Sequence, residues 1–538
     1  MNEDTFNWSN FYEEFATTLL KYKNDRENLL SKIKSVYKEI GMKLPKMENN
    51  GEIFDIDPFT VFGLFNKGIN DGNRKRILGG ISSQFNLKNE IPYSFDGIPL
   101  VNNLSAAFFY FSEERGKNDI NNLWEVFESA IRYADNPTQE NKLKIVRCIK
   151  VKRAKRMDVF QSSIFTELKN MKLDYTQRTG NETIDFSVGS PNIAPEPSIM
   201  KVLQESIMVP ENYKYAINEL PEMKSAIHDW YKNRYNVELT YDEMICLQGS
   251  QEALSTLFLA MCDPGDIVLV PDPYYPIFSD GPKIAGAKVE YMPLLQENNY
   301  VIQLDQIDEE IAKKAKIMIV SYPNNPTCAI APDSFYEELI QFAKKNDIVV
   351  LHDNAYSELV FDGKVGKSFL SFEGAKEIGI ELNSFSKTYG MAGARLGVCV
   401  GNKEVIDCYN TLKSNMDYGI FLPIQYAGIE ALRHGGASIH STCQAYQDRR
   451  DAICEAFDEV GWHIDKSPAT MFVWARIPDQ YEDSYAFTKD LMEKTGVVVT
   501  PGQAFGVHGT RYVRLALVQD IEDIQKAAER IKKSEIFK

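Results

Sequence analysis

From about residue 157 the chain alternates short apolar runs with amphipathic stretches, and this alternation restricts its fold more than any other feature. The runs "DIVLVPD", "KIMIVSYP", "DIVVLHD" and "LGVCVGN" are continuously apolar, which is the pattern of strands buried on both faces. Between them, "SQEALSTLFLAMCDPG" and "DSFYEELIQFAKKN" read as helices. Strands separated by helices build an α/β fold around a mostly parallel sheet. Ligands of such sheets bind beyond the carboxyl ends of the strands.

The texture is different before residue 150. That part is rich in Asn and Phe, with helix-like text at "FYEEFATTLLKYKNDRENLLSKIKSVYKEIG" and "NNLWEVFESAIRYA" and turn signals between them. A length of 538 residues exceeds one ordinary core. The reading is therefore an α-rich accessory domain over 1–150 followed by an α/β body over 157–538. The formal charge is −16, with residues 1–150 close to neutral, so nucleic acid is not the expected partner. The eight cysteines are scattered singly and the six histidines show no ligand spacing. No metal site is expected, and the thiols fit a reduced, cytoplasmic protein. The opening "MNEDTFNWSN" lacks a basic and an apolar region, so no signal peptide is expected. No apolar run is long enough to suggest a membrane span, and neither GxxxxGK[ST] nor GxGxxG occurs.

Several chemically suggestive residues fall just after the expected strands. "ICLQGSQEAL" ends a strand and opens a helix at Gly249, Ser250 and Gln251; a helix start with small residues suits a phosphate. "SYPNNPTC" puts Asn325 in a Pro-flanked turn, and "VVLHDNAYSEL" puts Asp353 and Tyr356 three residues apart. "NSFSKTYGMAGARLG" gathers Ser384, Ser386, Lys387 and Arg395 among glycines. Taken singly these are ambiguous: Asp353 is as good a helix cap as a functional carboxylate, and a lone lysine is usually a solvated charge.

Their order removes the ambiguity. "FSVGSPNIAPEP", "GSQEAL", "PDPYYPIF", "NNPTC", "DNAY", "SFSK", "GARLG", "TPGQAFG" and "YVRLAL" follow one another as in the fold-type I pyridoxal-phosphate enzymes. The chain resembles the class I/II aminotransferases over about 157–538. "HDNAYSELVFDG" and "KSNMDYGIFLPIQ" are similar to the branch containing LL-diaminopimelate aminotransferases. The resemblance implies a large domain of about 200–420 with a mostly parallel seven-stranded sheet. It also implies a small α+β domain from about 157–199 and 421–538, and a homodimer.

The resemblance also implies roles. Lys387 would form a Schiff base with pyridoxal 5'-phosphate and then move the substrate proton. Ser250, Gln251, Ser384, Ser386 and Arg395 would hold the phosphate. Asp353 would pair with the ring nitrogen, Asn325 and Tyr356 with the phenolic oxygen, and Tyr275 would stack on the ring. Arg514, with the backbone of Gly189, would bind the substrate carboxylate, and Tyr215 would reach the phosphate of the neighbouring subunit. An amino acid would give its amino group to a 2-oxo acid, 2-oxoglutarate by expectation, in a ping-pong cycle. The rival readings are a β-lyase or decarboxylase using the same cofactor, and a cofactor-binding regulator without catalysis.

Four departures from the family pattern stand out: Cys328 and Glu219 stand where Gly is common, Asn354-Ala355 replaces Glu-Ile, and Ala394 replaces Trp. Residues 50–130, including "IDPFTVFGLFNKGINDGNRKRILGGI", resemble a region upstream of the ATPase in McrB-like restriction-associated proteins, but no Walker motif follows.

Overall fold

The computed structural model describes residues 154–160 and 164–537, and the backbone of two short antiparallel strands, β1 (Met47–Asn49) and β2 (Glu52–Phe54). The helical text expected at 11–41 and 121–134 lies outside the described residues. The chain divides into two units, Met1–Arg153 and Ala154–Lys538.

In the second unit a short strand, β3 (Ile184–Asp185), precedes a seven-stranded sheet. Its members are β4 (Met244–Leu247), β5 (Ile267–Asp272), β6 (Lys288–Pro293), β7 (Ala315–Ser321), β8 (Val349–Asp353), β9 (Gly379–Ser384) and β10 (Gly397–Gly401). They lie in the order β4-β10-β9-β8-β7-β5-β6. The contacts from β9 through β6 are parallel, while β10 runs antiparallel to both its neighbours. The connection Phe385–Leu396 contains only short helical turns, too little for a parallel crossover, so β9 and β10 form a wide hairpin.

The apolar runs are strands because both faces of the sheet are covered. Along β7, Ile317 and Ile319 enter one core and Met318 and Val320 the other; Leu351 and Val350 of β8 divide the same way. The flanking helices are cut where the sequence suggests. Asp333–Asn346 ends at Asp347 in the left-handed conformation, and Pro221–Tyr235 begins on a proline and ends at left-handed Asn236.

A second, smaller layer comprises β11 (Phe472–Arg476), β12 (Val497–Val498), β13 (Thr500–Pro501) and β14 (Tyr512–Ala516). Strands β11, β14 and β13 form an antiparallel sheet, and β12 pairs parallel with β3. Its core is aromatic, with Trp462 stacked on Phe457 and on Phe537 at 5.4 and 5.0 Å between ring centres.

Two of the family departures have local explanations. Glu219 Oε1 accepts the backbone N–H of Cys246 at 2.9 Å and its other oxygen lies 3.5 Å from Lys224, so it ties a loop to β4. Cys328 holds φ at 64°, a conformation that favours glycine, and its thiol donates to the carbonyl of Phe472 at 3.2 Å.

One buried polar network supports the end of β8. Glu381 of β9, paired directly with His352, is fully buried. It accepts from Tyr231 Oη (3.0 Å), Ser368 Oγ (2.9 Å) and the Phe369 N–H (2.8 Å), and lies 3.1 Å from His352 Nδ1. Glu381→Ala strands these donors and should lower stability by about 3 kcal/mol or more. The measurement is the urea midpoint of the full-length chain, with Glu381→Gln, which keeps an acceptor, as the milder comparison.

Candidate functional site

The carboxyl ends of the sheet converge on one cavity of about 540 Å³. Every residue predicted from the sequence lines it except Tyr215. The charged groups in its lining are Lys387, Arg395, Arg514 and Asp353, so cations outnumber the single carboxylate.

Asp353 is the last residue of β8 and is buried. No helix follows it, which removes the capping role. Its Oδ1 has no hydrogen-bond partner among the described residues. Burial pushes its carboxyl up to about 6; the charge of Glu381 adds to this, while His352 and the Ala355 N–H oppose it.

Lys387 sits in the short turn Phe385–Thr388, directly after β9. Its Nζ donates to the carbonyl of Gly189 at 2.8 Å. Burial, reinforced by the nearby Arg514 and Arg395 charges, brings its amine down to about 8.

An anion cradle lies between β4 and β10. Gly249 is left-handed at φ 77°, and a Cβ there would come 2.3 Å from the Arg395 guanidinium; only glycine admits Arg395. Arg395 donates to the carbonyls of Ala392 (3.0 Å) and Gln248 (3.3 Å), which hold it at the start of the helix Gln251–Met261. Ser250, at the cap position of that helix, makes no capping bond with its side chain, so its hydroxyl remains for a ligand. Gln251 Oε1 accepts from Tyr275 Oη at 2.9 Å, which fixes the Tyr275 ring. On the opposite side, Ser384 Oγ accepts the Ser386 N–H at 3.2 Å.

Arg514, on β14, is buried between the rings of Phe472 and Phe505, 4.1 and 4.6 Å from their centres. It donates to Asn325 Oδ1 (2.9 Å) and the Ser187 carbonyl (3.4 Å), and its Nε has no partner among the described residues. Burial brings its guanidinium down to about 10. Burial raises the Tyr356 hydroxyl, whose ring meets Phe472 edge-on at 5.8 Å. A Cβ on Gly189 would press on the Phe472 ring at 3.0 Å, so a larger residue beside Arg514 would push that ring aside by a few tenths of an ångström.

Tyr215 stands apart. It is exposed and its ring packs on Tyr418 at 4.9 Å. Phe472 and Phe505, which wall Arg514, were not singled out from the sequence. Phe505 lies inside "TPGQAFG", whereas Phe472 sits in an ordinary strand run with no local signal.

The residues fit pyridoxal phosphate chemically. A cationic cradle with unused hydroxyls suits a phosphate, a buried carboxylate oxygen without a partner suits a cationic ring N–H, and a lowered lysine amine suits an aldehyde.

The family model for aminotransferase class I and II matches residues 181–531. A model described as a domain of unknown function (DUF8425) matches residues 8–168. The chain is 42% identical over 388 residues to the LL-diaminopimelate aminotransferase of Halothermothrix orenii, covering 72% of this chain and 99% of that protein. The Moorella thermoacetica protein of the same name is 39% identical, with 71% and 98% covered. Among solved structures, substrate-bound BacF of Bacillus subtilis matches with a TM-score of 0.68 at 35% identity, covering 71% of this chain and 97% of that one. A Thermus thermophilus aspartate aminotransferase double mutant matches with a TM-score of 0.67 at 26% identity, covering 71% and 99%.

Two pH dependences follow from the shifts. The rate at which the cofactor-free chain captures pyridoxal phosphate at Lys387 should rise about tenfold from pH 7 to 9 and then level off, because the amine is half-deprotonated near 8. Stopped-flow absorbance checks it; a rate still climbing from pH 9 to 10 rejects the burial argument. For stability, the folded chain holds the extra proton on Asp353 between the unfolded value of about 4 and about 6. The cofactor-free chain should therefore lose stability as pH rises through that window. Asp353→Asn should flatten this part of the urea-midpoint profile.

Proposed function

The chain belongs to the aminotransferase class I and II family, is a pyridoxal-phosphate-dependent aminotransferase, and we propose that it moves the amino group of LL-diaminopimelate onto 2-oxoglutarate. The observation that carries the residue roles is that Lys387, Asp353, Arg395 and Arg514 line one cavity. The names of the curated relatives support the donor.

Bound pyridoxal phosphate supplies an aldehyde for the amine and a ring that stores the electron pair left when the Cα–H bond breaks. Lys387 Nζ would hold that aldehyde and would carry the substrate proton, a task suited to an amine titrating near 8. The Asp353 carboxylate keeps the ring nitrogen protonated. Asn325 Oδ1 is engaged by Arg514, which leaves its Nδ2 donors for the phenolic oxygen beside the Tyr356 hydroxyl. Ser250, Gln251, Ser384, Ser386 and Arg395 bind the phosphate. Tyr275 covers the ring face. Arg514 grips the substrate carboxylate, its plane fixed by Phe472 and Phe505, with Gly189 beside it.

We also read the protein as a cytoplasmic homodimer. Tyr213, Tyr215, Ile217, Met208 and Tyr418 are exposed together in the linear neighbourhood of Tyr215 and its ring partner; a partner subunit would cover such apolar surface, bringing Tyr215 to the other phosphate. Among the described residues no helix is long and apolar enough to cross a membrane. The near-neutral residues 1–150 suit an accessory domain that contacts a protein partner better than a nucleic-acid head.

A half-reaction panel tests the reading. LL-diaminopimelate should convert the bound cofactor to its amine form fastest, without release of ammonia or carbon dioxide. Release of either product with no amine form would favour the β-lyase or decarboxylase reading. Lys387→Ala should abolish the conversion, and Asp353→Asn should slow it by at least about 100-fold.

A further inference from the structure

We propose that Lys172 and Asp185 are positioning residues of the carboxylate clamp, through which the helix Ile164–Thr179 sets the affinity of the site for its amino and oxo acids. The proposal rests on the aminotransferase reading of the site but not on the identity of the donor.

The helix is bound to the small layer by its apolar face. Leu168 packs with Met492 and Val498. Tyr175 lies over Gly496, where a Cβ would meet its ring at 2.8 Å. From this anchored helix, Lys172 Nζ reaches Asp185 Oδ2 at 2.6 Å. The other oxygen of Asp185 accepts both the N–H (2.8 Å) and the hydroxyl (2.6 Å) of Ser187, an arrangement that fixes the backbone two residues on. The Ser187 carbonyl then takes Thr500 Oγ1 at 3.0 Å and the Arg514 guanidinium at 3.4 Å. Two residues further, the Gly189 carbonyl takes Lys387 Nζ at 2.8 Å. A single stretch, 185–189, thus orients the clamp on one side and the reactive amine on the other. Among the described residues, Lys172 is the one charged group that holds its first residue from outside that stretch.

The Lys172–Asp185 pair is partly exposed, with side-chain exposures of 25% and 22%. Such a pair adds little to stability, so its effect should appear in geometry at Arg514. Arg514 grips the carboxylate in the bound substrate and throughout the reaction. Misplacing it therefore removes uniform binding and raises KM with little change in kcat. Both half-reactions use the same clamp, so donor and acceptor should be affected alike.

The test uses the full-length, cofactor-loaded chain in each half-reaction separately, with the fastest donor of the panel and with 2-oxoglutarate. Lys172→Met should raise the half-saturating concentration of both by about fivefold, leave the limiting rates within about twofold, and be rescued by Lys172→Arg. Asp185→Asn, which keeps the acceptor for Ser187 but removes the charge, should do the same. The double variant should be no worse than the more affected single one, because both break one contact. Asp185→Asn alone decides the matter if Lys172→Met does not fold. Unchanged affinity in the folded variants, effects that multiply in the double variant, or a loss confined to the limiting rates or the melting temperature overturns the coupling. A different fastest donor changes the proposed substrate and leaves this test intact.

Discussion

The burial of unequal charge at the carboxyl ends of the sheet is the constraint to which the rest of the catalytic unit is fitted. Asp353 and Arg514 are both buried, yet neither directly neutralises the other: among the described residues Asp353 Oδ1 has no partner, and Arg514 donates to an amide and a carbonyl while its Nε has none. Holding such groups unpaired is costly. The shifts of Asp353, Lys387 and Arg514 toward their neutral forms express that cost. On the proposed roles the cofactor's ring nitrogen and aldehyde would relieve Asp353 and Lys387, and a substrate carboxylate would relieve Arg514, so the same arrangement would serve selectivity and catalysis.

Topology makes the arrangement possible. Asp353 and Ser384 end parallel neighbours, so both reach the same edge. The antiparallel return of β10 then brings Arg395 back to that edge within the connection that carries Lys387. A parallel crossover would need a long helix there and would separate the amine from the Arg395 guanidinium. Close backbone approach does the rest: Gly397 lies against Ser250, where a Cβ would meet its N–H at 2.7 Å. This draws the two sides of the cradle together.

Much of this was legible in the sequence because it is local. Apolar runs announced β5, β7, β8 and β10, and the residues after several expected strands announced the cavity, whereas the half-exposed β6 carried no such run. The antiparallel direction of β10 was not legible, since a continuous apolar run has no polarity. Phe472 was missed for a related reason. It serves the site by the position of β11 against β14, and pairing between distant strands leaves no spacing to read. Tyr215 was named from the resemblance, but its place in one chain is an exposed packing against Tyr418, so its proposed work depends on a second subunit. Lys172 illustrates the same limit: nothing near it in the sequence points to Asp185, and only the fold discloses the carboxylate it holds.

The two guanidiniums of the cavity, Arg395 and Arg514, differ in a way that bears on the roles proposed for them. Arg395 is exposed and held by two carbonyls, whereas Arg514 is enclosed by two rings and buried. A guanidinium desolvated in advance leaves only the incoming carboxylate to be stripped of water, and the surrounding low dielectric strengthens the pair that forms. The cost of that preparation falls on folding and is met by the packing of the small layer. Small displacements of Arg514 then matter more than those of Arg395, because a rigid, two-pronged contact in a dry site tolerates less misalignment than a solvated one. The carbonyls and rings around Arg514 all come from residues brought together by tertiary structure, at positions 187, 472 and 505. On the role proposed for Arg514, substrate affinity would be governed by how firmly those backbone segments are held.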